Sequence, residues 1–239
     1  MNNFSLTKEK WQEGDISPFL SYLESLSAGE DASKREKQIL CTNLPCLAVK
    51  SEDVNRIVKE ICRGNYISFL DLWINRFWTN VSILGGVISK IKYYEIFEKY
   101  LSRFALECDS WASTDCLKFC VNKNNEEKFF ALAKKYILSE KPFVKRIGIR
   151  IFFKFILNEK YLDEIFDILK MFKNEDNYYV NMALAWFVCE CFIKRRDKAL
   201  WLLKSGLLND FVQNKAISKC RDSFRVSKED KEMLISLRR

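Results

Sequence analysis

The sequence predicts an all-α fold, and three observations carry that prediction. Apolar residues recur at helical spacing along nearly the whole chain. The 239 residues include only seven glycines and three prolines, too few for the many turns of an all-β protein. The breaks between apolar stretches are short and polar: RGN at 63–65, NKNN at 122–125, SEKP at 139–142 and KNEDN at 173–177. A hydrophobic content of 48% is enough for a sizeable core.

Helices are expected in order at 14–26, 33–43, 51–63, 66–77 and 80–91. In YYEIFEKYLSRFALEC (93–108), Ile96, Phe97, Tyr100, Leu101, Phe104 and Ala105 form one stripe. In CDSWASTDCLKFC (108–120), Trp111 and Asp115 are four apart, and helical backbone there would place them one turn apart on one face. In EEKFFALAKKYIL (126–138), Phe129, Phe130, Ala133, Tyr136 and Ile137 form a further stripe. FVKRIGIRIFFKFIL (143–157) reads as one long helix, with Pro142 at its start where a missing N–H costs nothing. Helices at 160–172, 177–194, 197–206, 209–224 and 228–238 complete the chain.

Short loops force neighbouring helices antiparallel, and helix pairs recur roughly every 35–40 residues. The reading is a single domain over 1–239, a HEAT-like helical repeat solenoid with a concave basic groove. A compact, non-repeating bundle is the alternative.

Composition narrows the chemistry. There is no histidine, which removes Ser-His-Asp and Cys-His catalysis and histidine metal sites. Nine cysteines stand at 41, 46, 62, 108, 116, 120, 189, 191 and 220, with no CxxC pair. They read as reduced, mostly buried thiols that pack as small hydrophobes. No uncharged apolar run reaches membrane-spanning length, and MNNFSLTKEKWQEGD has no signal-peptide core, so the expected location is the cytoplasm. The net charge of +8 is concentrated in residues 194–239, where 13 Lys and Arg face 6 Asp and Glu. A localised basic surface suggests a polyanion partner, most simply nucleic acid, against the plainer reading of a solvated face.

Three segments offer unusual side chains to a concave helical surface. The first is the Trp111–Asp115 pair. The second is Arg146 with Arg150 one turn later, and Lys145 and Lys154 nearby. The third is YYVNMALAW (178–186), where Tyr179, Ala183 and Trp186 share a face. Taken singly, each has a plain reading: Trp186 as core, Asp115 as a solvated acid in a first turn, Arg146 as surface charge. In FVQNKAISKCRDSFRVS, Asn214, Ser218, Arg221 and Arg225 recur at helical spacing, with Lys215 and Lys219 beside them. That stripe reads as a phosphate-tracking face. KRRDK at 194–198 reads as charge at a helix junction.

The segments SWASTD, FVKRIGIRIFFKF, YYVNMALAW and NKAISKCRDSFRVS resemble, in this order, the DNA alkylation repair glycosylases of the HEAT-like repeat type (AlkD-like). The resemblance runs from about residue 35 to the C-terminus. It implies an all-α solenoid that holds double-stranded DNA carrying alkylated bases and removes cationic N3- and N7-alkylated purines, without metal or cofactor. Carried over by motif, Trp111 and Asp115 match the family's Trp-x-x-x-Asp pair, Arg146 its active-site arginine and Trp186 its second tryptophan. The family's N-terminal tyrosine falls near Ile39 in KQILCTNLPCLAV, so one wall of the site differs. The Gly and Thr-Pro that usually follow are absent, as this chain reads LAVKSED at 47–53.

The resemblance implies contacts made mainly to the sugar–phosphate backbone, without a base-flipping pocket; a monofunctional mechanism is expected if water is the nucleophile, and a monomer because the groove must remain open. Two other readings stand beside it: a family relative that binds distorted or branched DNA without excision, and a helical-repeat protein-interaction scaffold.

Overall fold

The computed structural model describes residues 4–239, and among them every regular element is helical. The chain divides into two compact units that meet in sequence at Cys120 and Val121. The first unit holds α1 (Ile16–Ser25), α2 (Glu30–Leu40), α3 (Ser51–Ile61), α4 (Tyr66–Leu72), α5 (Trp78–Ile88), α6 (Tyr94–Glu107) and α7 (Trp111–Asp115). The second holds α8 (Glu126–Ile137), α9 (Pro142–Phe152), α10 (Glu159–Leu169), α11 (Tyr178–Lys194), α12 (Arg196–Lys204), α13 (Asp210–Asp222) and α14 (Lys228–Ile235).

In the first unit α5 is the centre. It packs against α3, α4, α6 and α7, as its composition requires: Ile83, Leu84, Val87 and Ile88 are all buried. Gly85 lets α7 approach, because a Cβ there would lie 2.6 Å from Cys116 Sγ and 3.1 Å from Phe104. Trp11, Phe19 and Phe69 meet edge to face at 5.0–5.7 Å between centroids and seal α1 onto α4.

The second unit has a clear repeat. Helices α9, α11 and α13 pack one on the next, while α8 covers α9, α12 covers α11 and α14 packs on α13. These three start at residues 142, 178 and 210, steps of 36 and 32. Polar ties repeat at similar offsets: Lys134–Glu164 at 2.9 Å, Lys160–Glu127 at 3.1 Å, Lys198–Asp163 at 2.7 Å and Arg196–Asp230 at 2.6 Å. They join α8, α10, α12 and α14 in series. Such pairing is what a stack of helical repeats produces, each unit touching mainly its neighbours.

The structure departs from the expected elements at particular residues. The stretch 108–120 is not one helix; only 111–115 is. Beyond Cys116 the chain buries alternate residues, Leu117 and Phe119, and exposes Lys118 and Cys120. The Lys118 N–H is taken by the Ser89 hydroxyl at 2.9 Å, so packing overrides helical continuation. α4 stops at Leu72 because Trp73 adopts a left-handed φ of 51° and buries its ring, with its indole N–H on Glu107 at 2.7 Å. The helix expected over 143–157 ends at Phe152 and tightens into a 3₁₀ turn at Phe153–Phe155. Of the nine cysteines only Cys189, Cys191 and Cys220 are fully buried; Cys41 and Cys120 are exposed.

Candidate functional site

The Trp111–Asp115 pair survives the shortening of its helix. The two residues are the first and last of α7, and both are half-buried. Ser110 starts the helix by capping Ala112 N–H at 3.3 Å, and its hydroxyl donates to the Leu40 carbonyl at 2.6 Å. Asp109 accepts from the Thr42 hydroxyl at 2.9 Å and from Asn43 N–H at 2.7 Å. The left-handed Cys41 (φ 52°) turns the chain out of α2 into this clasp. The start of α7 is therefore fixed to the end of α2 by several bonds over almost 70 residues of sequence.

Two further contacts orient the pair. The Trp111 indole N–H donates to the Ile39 carbonyl at 3.2 Å. The buried Thr114 hydroxyl donates to the Trp111 carbonyl at 2.7 Å and lies 3.2 Å from Asp115 Oδ1. Ile39 thus stands beside Trp111, and its side chain is 59% exposed. Sequence reasoning missed Thr114 and the Ile39 carbonyl. The Ser110 capping signal was readable; a carbonyl partner 72 residues away was not.

The remaining predicted residues belong to the second unit. Arg146 lies on α9 and is buried, 5% exposed, with Nη1 donating to the Tyr179 carbonyl at 2.7 Å. Surface charge is the wrong description of it: it ties α9 to the first turn of α11. Arg150, one turn on, lays its guanidinium 4.6 Å from the Trp186 ring centroid and 5.1 Å from that of Phe153. Phe153 meets Trp186 edge to face at 4.9 Å. Trp186 is thus held in place by a ring and a cation, contacts worth roughly 0.5–2 kcal/mol each. Ala183, between Tyr179 and Trp186 on the helix face, is fully buried. Lys145 pairs with Glu175 at 2.6 Å, and Lys154 is exposed.

The C-terminal stripe is only partly formed. α13 ends at Asp222, and Ser223 is extended (φ −77°, ψ 129°), so Arg225 leaves the face that carries Asn214, Ser218 and Arg221. Arg225 instead clamps Glu190 of α11 through both terminal nitrogens. Asn214 is engaged at both ends of its amide by the backbone of Arg239, at 2.6 and 3.0 Å. The Ser218 hydroxyl donates to the Asn214 carbonyl at 3.0 Å. Lys215 and Arg221 are exposed and Lys219 half-buried; none of the three forms an ion pair among the described residues.

Electrostatics follows these partners. Burial alone would raise the Glu190 carboxyl, but the Arg225 hydrogen bond and charge, with Lys194, hold it below its ordinary value. Burial pushes the Cys108 and Cys191 thiols well up, which disfavours the thiolate form. Among the described residues no group of three or more cysteines and carboxylates is placed to hold a metal ion. No helix among them is long and apolar enough to cross a membrane.

The first unit therefore carries a carboxylate and an indole at the two ends of one clamped helical turn. The second carries a stacked Arg–Trp pair, a buried arginine and, on α13, basic residues that form no ion pair among the described residues. A family model described as DNA alkylation repair enzyme matches residues 21–215. Comparison with curated proteins returns no match.

Proposed function

The chain belongs to the DNA alkylation repair enzyme family, and from that membership we infer that it is a DNA glycosylase, hydrolysing the N-glycosidic bond of cationic N3- and N7-alkylated purines in duplex DNA. The observation that carries the reading is the pairing of Asp115 with Trp111 on α7, clamped by Ser110, Asp109 and Thr114. An alkylated purine is already cationic and leaves without a proton, so the chemistry needs no general acid and suits a chain without histidine. As the bond breaks, positive charge develops on the sugar. The Asp115 carboxylate stabilises that charge and orients the attacking water. Trp111 sets an indole beside it, whose π face favours a cation and whose bulk excludes water, which strengthens the carboxylate's field. Water as the nucleophile makes the enzyme monofunctional.

On this reading the second unit supplies DNA affinity. Lys145, Arg150 and Tyr179, with Trp186, hold the sugar–phosphate backbone from α9 and α11, and the buried Arg146 positions them by tying the two helices through the Tyr179 carbonyl. Lys215, Lys219 and Arg221 track phosphates from α13, while Asn214, held by the Arg239 backbone, and Ser218, bonded to the Asn214 carbonyl, shape that face. Arg225 serves this face indirectly, as a partner of Glu190. The protein acts as a cytoplasmic monomer without metal or cofactor, contacting backbone and leaving the base outside any flipping pocket.

A second reading, a relative that binds DNA without excising, is favoured by one observation: Ile39 offers Trp111 a carbonyl but no side-chain hydroxyl. Release of 7-methylguanine and 3-methyladenine from methylated duplex DNA separates the two. Wild type is expected to release both, and Asp115→Asn to lose activity by on the order of 10²-fold or more. A folded wild type that binds DNA and releases neither base would sink the glycosylase reading.

A further inference from the structure

The corner of the first unit around α7 is rich in negative charge. Asp109 takes neutral donors, the Thr42 hydroxyl at 2.9 Å and the Asn43 N–H at 2.7 Å. Asp115 stands at the far end of α7. α2 also ends here, and its last carbonyls add the negative end of a helix dipole. Two of them are bonded from α7 and its cap: Leu40 by the Ser110 hydroxyl at 2.6 Å and Ile39 by the Trp111 indole at 3.2 Å. Such a field suits a sugar that turns positive as its bond breaks. It repels the phosphates on either side of that sugar. A cation in the same unit is needed to offset the repulsion, yet Lys145, Arg150, Lys215, Lys219 and Arg221 all belong to the second unit.

Arg35 is placed to supply that cation. It precedes Ile39 by four positions, which puts it on the same face of α2, about 6 Å back along the axis. An open cleft of about 260 Å³ runs over this face, lined by Ala32, Arg35, Glu36, Ile39 and Leu40. Ala32, Ile39 and Leu40 make its floor apolar. Arg35 is exposed and forms no ion pair or side-chain hydrogen bond among the described residues, not even with Asp31 one turn earlier. Its charged neighbours are otherwise engaged or turned away. Lys34 pairs with Glu30 at 2.7 Å, and the half-buried Glu36 accepts the Ala48 N–H at 2.7 Å. Lys37 lies two residues from Ile39, on the opposite side of the helix. The whole fork of Arg35 N–H donors is thus open to a ligand, and that fork matches two oxygens of a phosphate.

On the excision reading of Trp111 and Asp115, on which this assignment rests, we propose that Arg35 grips a backbone phosphate flanking the alkylated nucleotide. The adjoining deoxyribose lies over Ala32 and Ile39. The first unit then holds the reacting strand itself, and the sugar is brought to Asp115 against the repulsion of its phosphates.

The test is fluorescence anisotropy of the full chain with a duplex carrying one tetrahydrofuran abasic analogue, a mimic of the emptied sugar. In companion duplexes one flanking phosphate at a time is replaced by a neutral methylphosphonate. The chain is used as wild type, Arg35→Gln, Arg35→Lys and Lys37→Gln, with thermal melts to confirm folding. Arg35→Gln is expected to weaken binding about tenfold and Arg35→Lys to recover part of that loss. Lys37→Gln is expected to change affinity by less than about twofold. One of the methylphosphonates is expected to cost wild type a similar loss and to cost Arg35→Gln nothing further, the coupling that a direct contact gives in a double-mutant cycle. Arg35→Gln that binds as tightly as wild type overturns the proposal. Losses from Arg35→Gln and from every methylphosphonate that simply add also overturn it, by reducing Arg35 to diffuse surface charge. Because the readout is binding, the result stands whether or not the separate excision assay finds base release.

Discussion

The Trp111 indole N–H is held by the backbone carbonyl of Ile39, 3.2 Å away. Because the acceptor is main chain, the tether does not depend on the side chain at 39. Ile39 lies in the last turn of α2 and is largely exposed, yet its carbonyl holds the indole. Changing Ile39→Tyr is therefore expected to leave stability within about 0.5 kcal/mol. The same change places a phenol ring and hydroxyl beside the proposed cation-stabilising surface, and 7-methylguanine release is expected to rise severalfold. A folded variant with an unchanged single-turnover rate would mean that this wall plays no part in the chemistry.

Gly85 is the second lever on α7. Its missing side chain is what lets Cys116 Sγ approach to 2.6 Å of an ideal Cβ position, immediately after Asp115. Gly85→Ala is expected to cost roughly 1–3 kcal/mol through overpacking and to lower excision by shifting the carboxylate. Gly14, which meets nothing within 4 Å, is the control. Chemical denaturation and single-turnover assays on both alanine variants check this. Equal effects at the two positions would count against a packing origin.

Salt dependence distinguishes the basic residues of α13. Lys215 and Arg221 are exposed and form no ion pair among the described residues, while Asn214 is spent on the chain end at Arg239. Lys215→Gln and Arg221→Gln are each expected to reduce the slope of log K against log[salt] by about 1. Asn214→Ala is expected to leave the slope alone and to loosen the C-terminal residues instead. Titrations of duplex DNA at several salt concentrations read out the slopes.

Glu190 gives stability a pH dependence. Burial raises its carboxyl, but Arg225 and Lys194 outweigh burial and hold it below the ordinary value of 4.5. A depressed carboxylate stabilises the fold above its unfolded value and loses that contribution as pH falls through the folded one. The Asp230 carboxyl, lowered by the Arg196 hydrogen bond against burial, acts in the same direction. Arg225→Gln is expected to lower the melting temperature at pH 7 and to match wild type progressively as pH drops below about 4.5. A gap between the two proteins that stayed constant from pH 7 to pH 3 would remove this pair as the cause.

Helical spacing located most elements because an apolar stripe every 3.6 residues is a local property of the chain. The stripe from Ile96 to Ala105 in α6 and that from Phe129 to Ile137 in α8 appear as read, Ile96 staying partly exposed. The sequence also carried the candidate pair, since Trp111 and Asp115 are four apart, and the family, since residue types in order survive without coordinates. Tertiary structure decided the rest. That α7 lasts five residues depends on Ser89, 29 positions earlier, taking the Lys118 N–H. That Arg146 is buried against Tyr179, that Arg150 covers Trp186 and that Arg225 leaves its stripe for Glu190 depend on partners 33 to 36 residues away. Periodicity specifies which face a residue occupies within its own helix. The partner across the interface is set by how successive helices stack, and a single helix's sequence does not encode that.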